Sequence, residues 1–168
     1  LGGIEAVIEE NQATDLNLYF VVPSHVPFSP ALETSGGSFN PEIIREALKR
    51  PDAVGISECV GPYVLADLPD LLESLDDVAG MKGMTAQGHL VDMKGADLNK
   101  CAAAGISTCH EALSADEIMD RARVGVHAML RESSAARTLA QQLECIVGKD
   151  IDTSMMSIVT DDLHCCDL

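Results

Sequence analysis

Tryptophan is absent from the 168 residues, and only two tyrosines and three phenylalanines supply large rings. With aromatics at 3% and hydrophobic residues at 46%, the core must be built from Ala, Val, Leu, Ile and Met. Basic residues are scarce as well: 11 Lys and Arg stand against 27 Asp and Glu, for a net charge of −16. Such a surface repels phosphate backbones and anionic lipid, which excludes nucleic acid and membrane as expected partners. The acidic residues are spread along the chain, so they read as a solvated surface and not as an interaction tail. No apolar run reaches the length of a membrane span. No stretch at the start reads as a signal peptide. Six cysteines are present without a single Cys-x-x-Cys pair, a pattern that fits a reduced, cytosolic chain better than a disulfide scaffold. His164 with the adjacent Cys165 and Cys166 is disfavoured as a structural zinc site, because such sites usually use spaced ligand pairs.

Length suits one domain. Residues 4–10 read as the tail of a helix, and residues 16–22 as a buried, β-rich strand. Pro23, Pro27 and Pro30 then impose an extended loop that continues through residues 33–40, a length that is often functional. Asn40 followed by Pro41 marks a helix start, with Ile43, Ile44, Ala47 and Leu48 as its apolar stripe. Strands are expected at 53–57, 84–89, 105–109, 126–130 and 156–160. Between them lie helices at 65–78, after residues 94–97, after Ser114 with a capping box to Glu117, and at 135–147. Six strands alternating with helices imply a parallel sheet with helices packed outside. The fold class is therefore α/β, an incomplete TIM-type (β/α)8 barrel with about six of eight strands, occupying residues 1–168 as a partial catalytic domain. The absence of an initiating Met and the abrupt end at Leu168 lead to the expectation that both ends are cut.

Four short motifs sit where these strands should end: Ser57-Glu58-Cys59, Gln87-Gly88-His89, Ser107-Thr108-Cys109-His110-Glu111 and Thr160-Asp161-Asp162. A lone histidine beside an apolar strand is more often structural than a ligand. Two of them at equivalent strand ends, with carboxylates at the ends before and after, match the donor set that binds divalent ions able to activate water. Barrel enzymes keep their chemistry at the carboxyl ends of strands. His25 and His164 read first as loop residues, His127 as structural, and Arg131-Glu132 as an internal ion pair near the mouth of the site. The seven methionines are scattered and read as core filling.

Over nearly its whole length the chain resembles the adenine deaminase family of the amidohydrolase superfamily, bacterial and archaeal type. The stretches that carry the resemblance keep their order: Val22-Pro23-Ser24-His25-Val26-Pro27, Glu33-Thr34-Ser35-Gly36-Gly37, Gly55-Ile56-Ser57-Glu58, Gly88-His89, residues 94–99, residues 103–111, residues 130–137 and Thr160-Asp161-Asp162-Leu163-His164. The resemblance implies metal-dependent hydrolysis of adenine to hypoxanthine and ammonia, a purine-salvage reaction, on a binuclear centre of manganese or iron. It implies Glu58, His89, His110 and Asp161 as metal ligands, with Asp161 also moving the proton. It implies that Glu111 contacts the purine or orients its neighbouring histidine, and that residues 131–134 shape the pocket. The superfamily completes its metal site with a His-x-His pair from the first strand. No His-x-His occurs in this sequence, so the first two strands and the small β domain are expected to be absent from it.

Two other readings remain open at the level of sequence. Leu90-Val91-Asp92-Met93 after His89 and Cys109 before His110 depart from the family pattern, which fits a diverged amidohydrolase acting on another cyclic amidine or amide. An inactive, truncated barrel fragment is the third reading, since open sheet edges invite association with a partner or in a homo-oligomer.

Overall fold

The computed structural model describes residues 1–34 and 36–167, so Ser35 in the 33–37 stretch and Leu168 lie outside the described residues. Helix α1 (Gly2–Asn11) precedes β1 (Phe20–Pro23), followed by α2 (Pro41–Leu48) and β2 (Ala53–Val60). Two short helices, α3 (Gly61–Leu65) and α4 (Pro69–Ala79), lead to β3 (Thr85–His89). Then come α5 (Gly95–Ala103), β4 (Thr108–Cys109), α6 (Ala115–Arg123), β5 (His127–Arg131), α7 (Leu139–Gln142) and β6 (Met156–Val159). All six strands lie in one sheet in sequence order, and every pairing is parallel. Nearest-neighbour parallel order with intervening helices is the pattern of part of a TIM-type barrel. It also brings every strand's carboxyl end to the same side of the sheet.

Local chemistry explains most of the boundaries. The Asn40 side chain accepts from the Ile43 amide at 3.0 Å, and Pro41 fills the first helical position of α2, where no amide is needed. At α6 the Ser114 side chain accepts from the Glu117 amide. Glu117 does not complete the box on Ser114; its carboxylate accepts from the Leu113 amide at 2.9 Å instead, one residue further out. The helix expected at 65–78 is α4, which starts at Pro69 after the left-handed Asp67, and the separate short α3 before it was not expected. The long helix expected at 135–147 shrinks to α7 and a 3-10 turn over Leu143–Cys145. Strand β1 begins at Phe20, four residues later than the apolar run suggests, and Leu16 and Tyr19 are exposed.

The main core lies under β1–β4, where Val22, Ile44, Ile56, Leu71, Leu75, Leu90, Leu98 and Ile106 are almost wholly buried. A smaller cluster of Ala112, Ile118, Ala128, Leu130 and Cys145 continues it under β5. All six cysteines are free, as expected of a chain without a disulfide framework. Four of them are buried, and burial pushes the Cys59 thiol up to about 12. Among the described residues, β1 and β6 each pair on one side only. Next to these edges lie apolar hollows, one lined by Ile4, Val7, Leu18 and Phe20 and the other by Leu143, Ile146, Met156 and Ile158. No helix among the described residues is long and apolar enough to cross a membrane.

Among the glycines of the sheet, Gly55 in β2 meets its neighbour most closely. Its φ is +151°, and a Cβ placed there would lie 1.9 Å from the Thr85 carbonyl oxygen in β3. The neighbour is backbone and cannot swing away. Gly55→Ala is therefore expected to cost about 3 kcal/mol, read as a fall in the urea midpoint of unfolding. An unchanged midpoint would show that the β2–β3 seam is looser than this geometry.

Candidate metal centre

The parallel sheet delivers one polar group after another to its carboxyl edge. Strand β2 does so through an irregularity: its register on β3 shifts between Ile56 and Cys59, and Glu58 within the shift has a φ of +54°. That left-handed backbone costs a side-chain-bearing residue on the order of 1–2 kcal/mol. Buried Ser24, just after β1, fixes the bulge by donating from Oγ to the Glu58 carbonyl oxygen at 3.0 Å. The distortion turns the Glu58 carboxylate toward His89 at the end of β3. Asp161, two residues past β6, shares the left-handed conformation with φ +52°. Of the four non-glycine residues with positive φ among the described residues, these two carry the strand-end carboxylates. Strain concentrated there is what a functional site leaves behind.

The histidines and carboxylates converge. His89 Nδ1 lies 2.8 Å from Glu58 Oε2 and 3.7 Å from Glu111 Oε1. His110 Nε2 lies 3.2 Å from Glu111 Oε1 and 3.6 Å from Glu58 Oε1. Arg131 at the end of β5 reaches two carboxylates with one nitrogen, placing Nη1 2.5 Å from Glu111 Oε1 and 2.8 Å from Asp161 Oδ2. Ligand atoms of Glu58, His89 and His110 lie within 4.8 Å of one another, and so do those of His110, Glu111 and Asp161. His110 belongs to both groups, so the two could share one face as a paired centre.

The donor set fits a divalent cation. His89 Nδ1 is buried, yet the Glu58 oxygen at 2.8 Å is too oblique to complete a hydrogen bond with it. Two ligand atoms that crowd each other without satisfying each other are arranged for a third body between them. Imidazole nitrogens with carboxylate oxygens suit zinc, manganese or iron. The electrostatics agree. The Glu58 contact, with Glu111 behind it, raises the His89 pKa against the effect of burial. Burial works to raise Glu111, but the His110 contact, Arg131 and His89 outweigh it and hold that carboxyl below its ordinary value.

The residues singled out from the sequence as ligands or proton carriers are thus gathered at one edge, and Glu111 sits against both histidines. The reading of Arg131-Glu132 as an internal pair is corrected: Arg131 turns to Glu111 and Asp161, whereas Glu132 accepts from the Leu139 amide at 3.1 Å and caps α7. His127 is structural, its Nε2 lying 3.0 Å from the Ser157 hydroxyl on the neighbouring strand. Sequence reasoning passed over His25 and Phe28 in the loop after β1. His25 stacks on Phe28 at 5.1 Å between ring centroids, and Phe28 meets the His89 ring edge-on at 6.3 Å. The signal was a histidine and a phenylalanine three residues apart in a Pro-rich loop of a chain with few rings. It also passed over Gln142, which is fully buried. Gln142 accepts from the Arg131 amide at 2.9 Å and donates to the Ala112 carbonyl, tying β5 to the segment after β4. Beside the centre lies a hollow of about 340 Å³ lined by Val21, Ser57, Glu58, Gln87, His110, Met129, Val159 and Asp161. That is enough for a small heterocycle.

Comparison with known proteins bears on this edge. The chain is 34% identical to an adenine deaminase of Bacillus licheniformis, covering 96% of the chain and 28% of the relative. It is 32% identical to one of Dehalococcoides mccartyi over 99% of the chain, and 31% identical to one of Clostridium botulinum over 98%. The chain spans 28% of the length of each of these relatives. No protein-family model matches it.

Two outcomes are expected of the metal-free chain. The Arg131 side chain is 12% exposed and that of Glu111 9%. Removing the guanidinium leaves Asp161 without its cation and Glu111 with only the two imidazoles, so Arg131→Met should cost roughly 3 kcal/mol in urea unfolding. A loss within experimental error would mean that the pairs are replaced by water. The pH dependence follows from His89. A histidine whose folded pKa is raised stabilises the fold fully below its unfolded pKa, and loses that contribution as pH rises through the folded value. The stability of the metal-free chain relative to its His89→Gln variant should therefore fall from mildly acidic to mildly alkaline pH, a difference in which the opposite contribution of His25, whose pKa burial lowers, cancels. A slope of the opposite sign would overturn the assignment.

Proposed function

We propose that the chain is part of an adenine deaminase-type protein and that this edge takes part in metal-dependent hydrolysis of adenine to hypoxanthine and ammonia, as in purine salvage. The observation that supports the reading most directly is the convergence of Glu58, His89, His110 and Asp161 from the carboxyl ends of β2, β3, β4 and β6 onto one edge. Together with the relatives' printed activity, it supports reading this as an amidohydrolase-type site for a small-molecule purine. Glu58, His89, His110 and Asp161 would hold the metal, with manganese or iron as the proposed occupants of a binuclear centre. Bound there, a divalent cation supplies a water of lowered pKa as nucleophile near neutral pH.

The chain's own groups account for the rest. The oxygen of water adds to C6 of the purine, the bond from C6 to the exocyclic nitrogen breaks, and that nitrogen leaves as ammonia. Asp161 is the carboxylate placed to take the proton from the water and deliver it to the departing nitrogen. Arg131 holds the Asp161 carboxylate in place at 2.8 Å. Glu111 is pinned between Arg131 and the two histidines, so its role is to orient His110. The adjoining hollow, with Gln87 in its wall, would receive the base. On the same reading, residues 1–168 are part of a larger barrel. The one-sided pairing of β1 and β6 and the span of 28% of the relatives support this, and a His-x-His pair from outside the chain would complete the centre.

The test is ammonia release from adenine by the gene product that contains this chain, loaded with Mn2+ or Fe2+. Turnover is expected, and Asp161→Asn should lower kcat by roughly 10²–10⁴-fold with metal content retained. Full metal loading without ammonia release from adenine would overturn the substrate. A panel of cyclic amidines and amides would then identify another one.

A further inference from the structure

The described residues contain one more cluster of ligand atoms, separate from the strand-end centre and sharing no residue with it. His164, Cys165 and Cys166 lie on the surface after β6, with one ligand atom from each within 4.8 Å of the others. We propose that these three side chains form a second, thiophilic metal site that captures a zinc-class ion.

The sequence argument against zinc rested on the lack of spaced ligand pairs, which matters when a site must hold distant parts of a fold together. The structure shows a different arrangement, in which the local turn itself is held ready. The Cys166 amide donates to His164 Nδ1 at 3.1 Å, which fixes the imidazole beside the thiols. Cys165 Sγ stands 4.0 Å from that nitrogen. Metal–sulfur and metal–nitrogen bonds of about 2.3 and 2.0 Å in a tetrahedron give a sulfur–nitrogen edge of roughly 3.5 Å, so binding through Nδ1 needs a small closure and the exchange of the Cys166 amide for the ion at that lone pair.

The turn is also anchored from outside. Ser134 accepts from the His164 amide at 2.7 Å and donates to Asp167 Oδ2 at 2.5 Å. The Ser134 amide donates to the Asp162 carbonyl at 3.2 Å, and Arg137 pairs with Asp167 at 3.0 Å. Both flanks of the His-Cys-Cys turn are therefore tied to the segment after β5, which lowers the ordering cost of binding.

Ligand chemistry separates this site from the strand-end centre. Two thiolates and an imidazole favour zinc, cadmium or Cu(I), whereas histidines with carboxylates also accept manganese and iron. Three protein ligands leave a fourth position to water. Two thiolates balance a divalent charge, and the surrounding net charge of −16 draws cations in. The other four cysteines are buried and cannot compete for the ion.

The test uses the reduced, anaerobic chain, with Co2+ as the spectroscopic probe for zinc. A free-thiol count first confirms that the two exposed cysteines are reduced, and far-ultraviolet circular dichroism confirms that each variant is folded. The expected result is a thiolate-to-cobalt charge-transfer band that saturates at one equivalent and is displaced by Zn2+. The band should vanish in Cys165→Ser and in Cys166→Ser, and His164→Ala should weaken the ion's affinity at least about tenfold. It should persist in His89→Ala, which tests independence from the strand-end centre. No band with both thiols reduced, a band that survives the double serine variant, or an affinity unaffected by His164→Ala would each overturn the proposal.

Discussion

Three carboxylates from three different strands must share one small space in a chain that is already strongly acidic. Glu58, Glu111 and Asp161 repel one another, and each additional negative charge on the surface makes their meeting more costly. What makes the arrangement tolerable is the placement of positive charge between them. Arg131 bridges Glu111 and Asp161 with a single nitrogen, and the two imidazoles stand between Glu111 and Glu58. The network is asymmetric. Its Arg131 end is buried and permanently charged, whereas its Glu58 end is more open and rests on histidine, whose charge depends on pH. A cation is best accommodated at the open end, where compensation is weakest.

The rest of the fold serves this requirement. A sheet with its strands in parallel sequence order carries each strand's last residue to the same edge, so residues far apart in sequence become neighbours without any long-range loop. Within that frame the exceptions to regular geometry are informative. Regular β2 would alternate its side chains across the sheet. The bulge at Glu58 breaks the alternation, and Ser24 from the preceding strand end locks it.

The sequence displayed much of this. Alternating apolar runs and caps marked six strands and their order, because the burial that drives each strand also writes its pattern. Glu58, His89, His110 and Asp161 were visible because each lies in a short motif that follows an apolar run. The remainder was hidden for identifiable reasons. The extra helix α3 and the short α7 depend on which backbone groups find tertiary partners, a matter that helical periodicity does not register. The partner of Arg131 could not be read from its neighbour Glu132, since the choice lies with carboxylates 20 and 30 residues away. Ser24 and Gln142 look like ordinary loop and helix residues, and their roles arise only from the backbone groups that they meet. The turn at residues 164–166 was judged by the spacing rule for structural zinc, a rule that does not see the clamps at Ser134 and Arg137.

The left-handed backbone at Glu58 and Asp161 also bears on how such a chain changes over generations. Glycine or asparagine relieves that strain at either place, so variants that discard a carboxylate gain foldedness in the same step. When selection for activity relaxes, these two positions are under pressure from both mutation and stability to lose their acids, sooner than the histidines, whose backbones carry no such strain. A chain that carries an acid at both left-handed positions therefore holds them against the preference of its own backbone.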